Sequence, residues 1–397
     1  MKLRDKLVRF HRYVGLAMAG YLVIAGLTGS VLVFDREIDR ALNADLLVVS
    51  PSTQTLPVGA LINQALTYAP DAAITMISLP ETKTDPFVVH VRQMALANDK
   101  TPFTAIYVDP GNGTVLGARD AERGAISQRG IVRFLYILHY SLHGGGIARL
   151  LLGFVALAWF VDCFVGAWLT LPRGHPFWRK WAMSWRIKRD AGSYRRKLDL
   201  HRAGGLWLWG MLALIAFSGA FLNLKSILFN PLLRAASWAE PSPLEALPAS
   251  SMPGGPHIDY ATAYRLADRD ASSRGATGRV FYVWFGEQWN IFEAGYKPSS
   301  PAGVVSRLYL DGSTGDIIQS TPFAHALPGD KLAALQLPLH SGEIAGMPGR
   351  LLICLSGLVV AMLSITGVSI WWRKRGAGSR RQRSPKRLVM TDRQARQ

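Results

Sequence analysis

The sequence predicts a membrane-embedded, all-α four-helix bundle carrying two external α+β modules, the whole built by internal duplication. Three observations predict it: long apolar runs, an uneven spread of charge, and motifs that recur between the two halves. Of 397 residues, 49% are hydrophobic. Four runs of 22 residues (13–34, 150–171, 203–224 and 351–372) contain Asp162 as their only formally charged side chain. At about 1.5 Å per residue each reaches roughly 33 Å, the thickness of a bilayer core. That excludes a soluble enzyme, a secreted protein and a disordered basic binder.

The net charge of +18 would suit a nucleic-acid partner if it were spread over one surface. It is not. Residues 1–12 carry five basic against one acidic side chain, 172–202 ten against two, and 373–397 ten against one. The long loops, 35–148 and 225–349, each carry nine basic against eleven acidic. Basic residues concentrated in short segments on one side mark the cytoplasmic face. The expected placement is therefore multi-pass in a bacterial inner membrane, with both termini cytoplasmic, both long loops periplasmic, the lipid bilayer as partner and no nucleic acid. Trp168, Trp178, Trp181, Trp371 and Trp372 gather at the proposed inner interface, where amphipathic rings settle.

The expected organisation follows: cytoplasmic N-terminus and first span over 1–34, first module 35–148, second span 149–172, basic cytoplasmic loop 173–202, third span 203–224, second module 225–349, fourth span 350–372 and basic tail 373–397. The first span exceeds the apolar core of a cleavable signal and no small-x-small site ends it. Cys163 and Cys354 both fall inside spans, so neither a disulfide framework nor a CxxC site is expected.

At an offset of 190, His11-Arg12-x-x-Gly15-Leu16 aligns with His201-Arg202-x-x-Gly205-Leu206, and Gly29 with Gly219. In the other helix pair, Leu142-His143-x-Gly145 matches Leu339-His340-x-Gly342, and Arg149 and Gly166 match Arg350 and Gly367 after a short insertion. The loops repeat as well: Tyr107-x-Asp109-x-x-x-Gly113 aligns with Tyr309-x-Asp311-x-x-x-Gly315. Each loop passes from a helix-like period (58–69; 260–271) to alternation typical of strands, at 87–92, 104–108, 280–285, 290–293 and 305–310. The Asp-Pro-Gly-Asn-Gly and Asp-Gly-Ser-Thr-Gly segments supply hairpin turns. Residues 239–256, rich in Pro and Ser, read as a flexible lead.

The histidines fall at the edges of the spans. His11 and His201 enter the first and third helices, and His143 and His340 the second and fourth. His139 precedes His143 by four residues and shares its face if that stretch is helical. Matched imidazole pairs from neighbouring helices are the axial nitrogens of a low-spin b-type haem, and an apolar bundle supplies its slot. Two haems b are expected, with iron held by His11, His201, His143 and His340. Zinc is disfavoured, since no Cys, Asp or Glu stands at ligand spacing beside them. Arg12, Arg202, Arg149 and Arg350 adjoin these histidines and suit haem propionates or plain interfacial anchoring. Asp162, costly inside a membrane, is either a proton relay or a neutral carboxyl bonded to a Ser or Thr of a neighbouring helix. His90, His257, His325 and His175 read as surface residues. Tyr282, Trp284, Phe285 and Trp289 read as packing, with a docking face for a chelate as the other use.

The His-Arg-x-x-Gly-Leu entry, His139-Tyr-Ser-Leu-His143, Leu-His340-Ser-Gly-Glu343 and the Asp-Gly-x-x-Gly hairpin resemble the PepSY-associated transmembrane-helix family over about residues 3–375. That family includes iron-regulated inner-membrane proteins and ferric-siderophore reductases. The resemblance implies periplasmic PepSY-like modules, two b haems on His11, His201, His143 and His340 with His139 as substitute, and transmembrane ferrisiderophore reductase activity. Electrons would come from a cytoplasmic reductant or membrane quinol and reduce a periplasmic ferric siderophore. No Gly-x-Gly-x-x-Gly follows a strand, so the donor is a separate molecule. A non-redox binding or regulatory membrane protein and a siderophore or metal permease are the competing readings.

Overall fold

The structure is a computed structural model that describes residues 3–94, 102–246, 258–273, 279–296 and 304–383. Contacts divide the chain into two compact units. One is Met1–Gly26, Ala158–Ala213 and Leu358–Gln397; the other is Leu27–Leu157 and Leu214–Gly357.

In chain order the first half runs α1 (Leu3–Leu32), α2 (Asp35–Leu42), α3 (Ala44–Leu47), α4 (Val58–Tyr68), β1 (Ile74–Ser78), β2 (Phe87–Met94), β3 (Phe103–Val108), β4 (Val115–Arg119), α5 (Ile131–Ser141) and α6 (Gly145–Leu169). Two helices, α7 (Phe177–Ala182) and α8 (Ser193–Trp207), then lead to α9 (Trp209–Leu224), α10 (Asn230–Ala235) and α11 (Pro243–Ala246). The same order then recurs: α12 (Tyr260–Ser273), β5 (Val280–Gly286), β6 (Ile291–Tyr296), β7 (Ser306–Asp311), β8 (Ile317–Thr321), α13 (Pro328–Ser341) and α14 (Gly346–Arg383). From 247 to 257 the Pro/Ser-rich lead, with His257, lies outside the described residues; so does the basic tail from 384.

Among the described residues, four helices are long and apolar enough to cross a membrane: Leu3–Leu32, Gly145–Leu169, Trp209–Ala235 and Glu343–Arg375. Their exposed side chains are large and apolar, among them Leu27, Val31, Leu151, Phe154, Leu358 and Ile365, as a lipid-facing surface requires. The third run is not one continuous α-helix. It breaks at Leu208, between α8 and α9, so His201 stands on a separate helix from Ser218 and Gly219. A π turn, Lys225–Phe229, joins α9 to α10.

In the first unit Arg4 donates to the carbonyls of Leu169 (2.6 Å) and Leu171 (3.1 Å), closing the last turn of α6 where orphan acceptors and the helix dipole favour a cation. Asp199 is fully buried and holds Arg195 and Arg202 at 3.0 Å each. Of the expected interfacial tryptophans, Trp181 donates to Thr170 Oγ1, and Trp178 and Trp372 are exposed.

The sequence suggests two separate modules, and the second unit shows one sheet. Eight strands run antiparallel in the order β4-β3-β2-β1-β5-β6-β7-β8. The seam is β1 against β5, pairing Met76 with Trp284, Ile77 with Val283 and Ser78 with Tyr282. Each module would leave an open edge, and pairing the two edges removes both. Alternation sorts the side chains. Phe87, Val89, Val91, Ile106 and Val108 join Ile77, Val283, Phe292, Ala294, Leu308 and Leu310 on one face, under Leu61, Ile62 and Ala65 of α4 and Ala263, Ala267 and Ala271 of α12. On the other face Ala105 and Tyr107 pack beneath Leu46 of α3. Each large side chain buried this way contributes roughly 1.5–3 kcal/mol.

The turns match their sequences. Asp109 Oδ1 accepts from Gly111 N at 2.8 Å, its carbonyl accepts from Gly113 N, and Gly113 takes φ 77°. Asp311 and Gly315 (φ 81°) repeat the arrangement. His90 is half-buried, not a surface residue, with Nε2 3.1 Å from Ser78 Oγ. Of the aromatic set on β5, Tyr282 donates to Glu293 and Phe285 packs on Phe292.

Candidate functional site: two histidine pairs

Four imidazoles meet in two pairs. In the first unit His11 of α1 and His201 of α8 have ring centroids 6.1 Å apart, inclined by 60°. In the second, His139 of α5 and His340 of α13 are 6.0 Å apart, inclined by 62°. Two imidazoles that face each other across a single metal, each bound through one nitrogen, would place their ring centres about 6.2 Å apart, taking about 2 Å per metal–nitrogen bond and about 1.1 Å from nitrogen to ring centre. Both pairs have that spacing.

The spacing depends on glycine. A Cβ on Gly29 would lie 2.9 Å from His139 Cε1, on Gly367 3.2 Å from His201 Cε1, on Gly219 3.3 Å from His340 Cε1, and on Gly166 3.5 Å from His11 Cε1. Every ring thus rests against a helix backbone that has no side chain at the point of contact. Glycine permits such approach because it lacks Cβ.

Each ring is also tied to the neighbouring helix through Nδ1. His11 Nδ1 lies 2.9 Å from both carboxylate oxygens of Asp162. His201 Nδ1 donates to the carbonyl of Leu363 at 3.0 Å and lies 3.2 Å from Thr366 Oγ1. His340 Nδ1 lies 2.9 Å from Ser218 Oγ, whose own proton goes to Leu214 O at 2.7 Å, so the ring is the donor. His139 Nδ1 lies 3.1 Å from Thr28 Oγ1. A ring anchored through Nδ1–H offers Nε2 to a metal, the arrangement that outer-sphere partners impose on ligating histidines.

The four candidate ligands of the sequence are not the four that meet. His143 lies beyond the C-terminus of α5, since Leu142 and His143 take φ 49° and 58° and end the helix. Its ring is exposed, stacks 4.4 Å from Phe134, and its Nε2 bonds the Phe134 carbonyl at 3.0 Å. The helical condition for a shared face with His139 is therefore unmet, and His139 takes the place beside His340. The Arg side chains are placed as follows. Arg202 Nη2 donates to Asp199 and Met183 O, with its Nε buried and unpartnered among the described residues. Arg350 grips Glu37 and the Val33 carbonyl, Arg149 donates to Leu222 O, and Arg12 is exposed.

Sequence reasoning missed Thr28, Ser218, Thr366 and Gln336. The first two were readable: Thr28-Gly29 and Ser218-Gly219 share the offset of 190. Gln336 stands one turn before His340, 1% exposed, with Oε1 unpartnered among the described residues. Asp162 was singled out, but with a hydroxyl rather than His11 as its neighbour.

The donor sets fit axial ligation of a planar macrocycle and do not fit a tetrahedral ion. Each site offers two nitrogens, and no group of three or more His, Cys, Asp or Glu comes together among the described residues. A macrocycle that brings four nitrogens of its own needs only the two.

No curated protein matches this chain. The family model for the PepSY-associated TM region matches residues 8–374. The match takes in nearly all of the four long apolar helices and the eight strands found among the described residues, and the chain is a membrane protein that belongs to the PepSY-associated TM family.

Proposed function

We propose that the chain is an inner-membrane di-haem b protein that carries electrons outward and reduces a periplasmic ferric siderophore, releasing iron(II). His11 with His201 would hold one haem, and His139 with His340 the other. The observation that carries the reading is the pair geometry: two imidazoles at 6.1 Å and two at 6.0 Å, each ring fixed through Nδ1 and seated on a glycine. Packing or interfacial histidines have no need to recur in matched pairs at that spacing.

When bound, a b haem supplies a one-electron ferric/ferrous couple. The protein's own part is positional. Asp162, Leu363, Thr366, Thr28 and Ser218 hold the imidazoles in one orientation, so little rearrangement accompanies a change of charge. The charge pattern favours cytoplasmic termini and an external sheet, so a cytoplasmic reductant or membrane quinol would serve the His11/His201 side. Iron(II) binds hard siderophore oxygens far more weakly than iron(III), so reduction alone releases the metal and no bond in the chelator breaks.

The test is haem stoichiometry with a reduced-minus-oxidised spectrum of the purified chain, expressed with ample haem supply. Two dithionite-reducible haems per chain are expected, and His11→Ala or His201→Ala should retain one. Anaerobic mixing of the reduced protein with ferric siderophores, with iron(II) trapped by a chromogenic chelator, tests the substrate. A colourless protein would refute the redox reading and leave a non-redox binding role. Two haems with no iron(II) from any siderophore would remove only the substrate assignment.

A further inference from the structure

The two pairs match in spacing, tilt and glycine contact, and differ in one respect. His201 Nδ1 meets a carbonyl and a hydroxyl, and His139 and His340 Nδ1 each meet a hydroxyl, whereas His11 Nδ1 meets the carboxyl group of Asp162. Asp162 is 4% exposed and presents both oxygens to Nδ1 at 2.9 Å. At an offset of 201, where Gly166 corresponds to Gly367, the position of Asp162 is filled by Leu363, which serves His201 through its backbone carbonyl alone. A charged side chain in the middle of a span is costly, and a neutral acceptor would suffice to orient a ring.

Resting on the two-haem reading, we propose that Asp162 is a positioning residue for His11 that makes the His11/His201 site the lower-potential of the two, directing electrons from there to His139/His340. A carboxylate accepting the Nδ1–H bond raises the basicity of the ligating imidazole. An Asp162 carboxylate would stand one imidazole ring away from a metal held by His11, in surroundings that screen it weakly, and would favour the more positively charged state of that metal. At the other site the hydroxyls of Thr28 and Ser218 meet the rings. The transfer would be of one electron, given up by the group that His11 and His201 would hold and taken by the one that His139 and His340 would hold, with no bond made or broken. A quinol or cytoplasmic reductant refills the first, and the ferric chelate empties the second.

Potentiometric titration of the full chain, followed at the haem bands, tests this without reference to activity. Wild type should titrate in two one-electron steps. Asp162→Asn, which keeps an acceptor oxygen but loses the charge, should retain both haems and raise the lower potential while leaving the other unmoved. A tenfold loss of ferric preference corresponds to about 59 mV. The site assignment is read independently: His11→Ala should keep the higher potential and His340→Ala the lower. Unmoved potentials in a two-haem Asp162→Asn protein would overturn the proposal. If Asp162→Asn binds a single haem, the histidine variants decide, and survival of the lower potential in His11→Ala overturns it. A wild-type protein without haem would instead refute the reading on which this rests.

Discussion

Replacing Gly29 with alanine places a methyl group 2.9 Å from Cε1 of His139. Carbon atoms pack at about 3.5–4.0 Å, so the imidazole has to yield by roughly 0.6–1 Å. The ring has little freedom to do so, since its Nδ1 is held 3.1 Å from Thr28 Oγ1 and its centre 6.0 Å from that of His340. Forcing a methylene into a packed site costs about 1–3 kcal/mol, which is roughly 5–150-fold in the affinity of the His139/His340 pair for a shared ligand. The four contacts form a graded series. Gly29→Ala should be the most damaging, Gly367→Ala (3.2 Å) and Gly219→Ala (3.3 Å) intermediate, and Gly166→Ala, at 3.5 Å from His11 Cε1, nearly silent. Gly20→Ala is the control on the same helix as Gly29, because a Cβ there meets nothing within 4 Å. Haem per chain at limiting haem, with thermal stability of the haem-free protein alongside, reads the series. Equal binding by Gly29→Ala and Gly20→Ala would refute the claim that the glycines set the approach of the rings.

His139→Ala and His340→Ala should each lower the haem content by one, whereas His143→Ala should leave it unchanged; the reverse outcome for His139 and His143 would restore the alignment of His143 with His340. Burial holds His90 down to about 4, below its ordinary value of 6.5. A folded pKa below the unfolded one means that the unfolded chain binds the extra proton. The contribution is therefore whole above about pH 6.5 and is lost on falling toward pH 4, at up to about 1.4 kcal/mol per pH unit. Melting temperatures of His90→Gln should show a flatter pH dependence than wild type across that window. Ile77, fully buried on β1 beside the seam, should cost about 2–5 kcal/mol when cut to alanine. The near-ultraviolet transition of the whole sheet should shift as one, and two separate transitions would show that the modules fold independently.

The spans were legible because twenty apolar residues in a row have few other uses, and the hairpins because Asp109 to Gly113 and Asp311 to Gly315 carry turn chemistry that leaves little choice. Strands β1, β4 and β8 were not. Ile317 and Ile318 on β8 are both exposed, and every residue of β4 is half-buried, so neither strand alternates in the way that a strand with one wet face does. β1 is a central strand between β2 and β5, a position conferred by Val283 and Trp284 more than two hundred residues later. Nothing local to residues 74–78 reports that the second half of the chain will supply a neighbour. The fusion of two modules into one sheet was invisible for the same reason: an edge looks identical in sequence whether water or another edge meets it.

The sequence left His139 and His143 open as the neighbour of His340, with His143 placed first, and the structure sets His139 there; the reason is physical. Matching Leu142-His143-x-Gly145 to Leu339-His340-x-Gly342 maximises local identity but forces an insertion before Arg149 and Arg350. A constant offset of 201 needs none: it carries His139 to His340, Gly145 to Gly346, Arg149 to Arg350, Asp162 to Leu363 and Gly166 to Gly367. A four-residue insertion turns a helix face by only about 40° net but slides everything beyond it by about 6 Å along the axis, so an unbroken register through the span outranks a better short motif. The helix starts support the longer register, since Gly145 opens α6 and Gly346 opens α14, whereas Gly342 lies before that entrance. His143 lies past the end of α5 in left-handed conformation, where no helix directs its ring. A ligand needs a rigid element behind it, and α5 ends two residues too early to provide one.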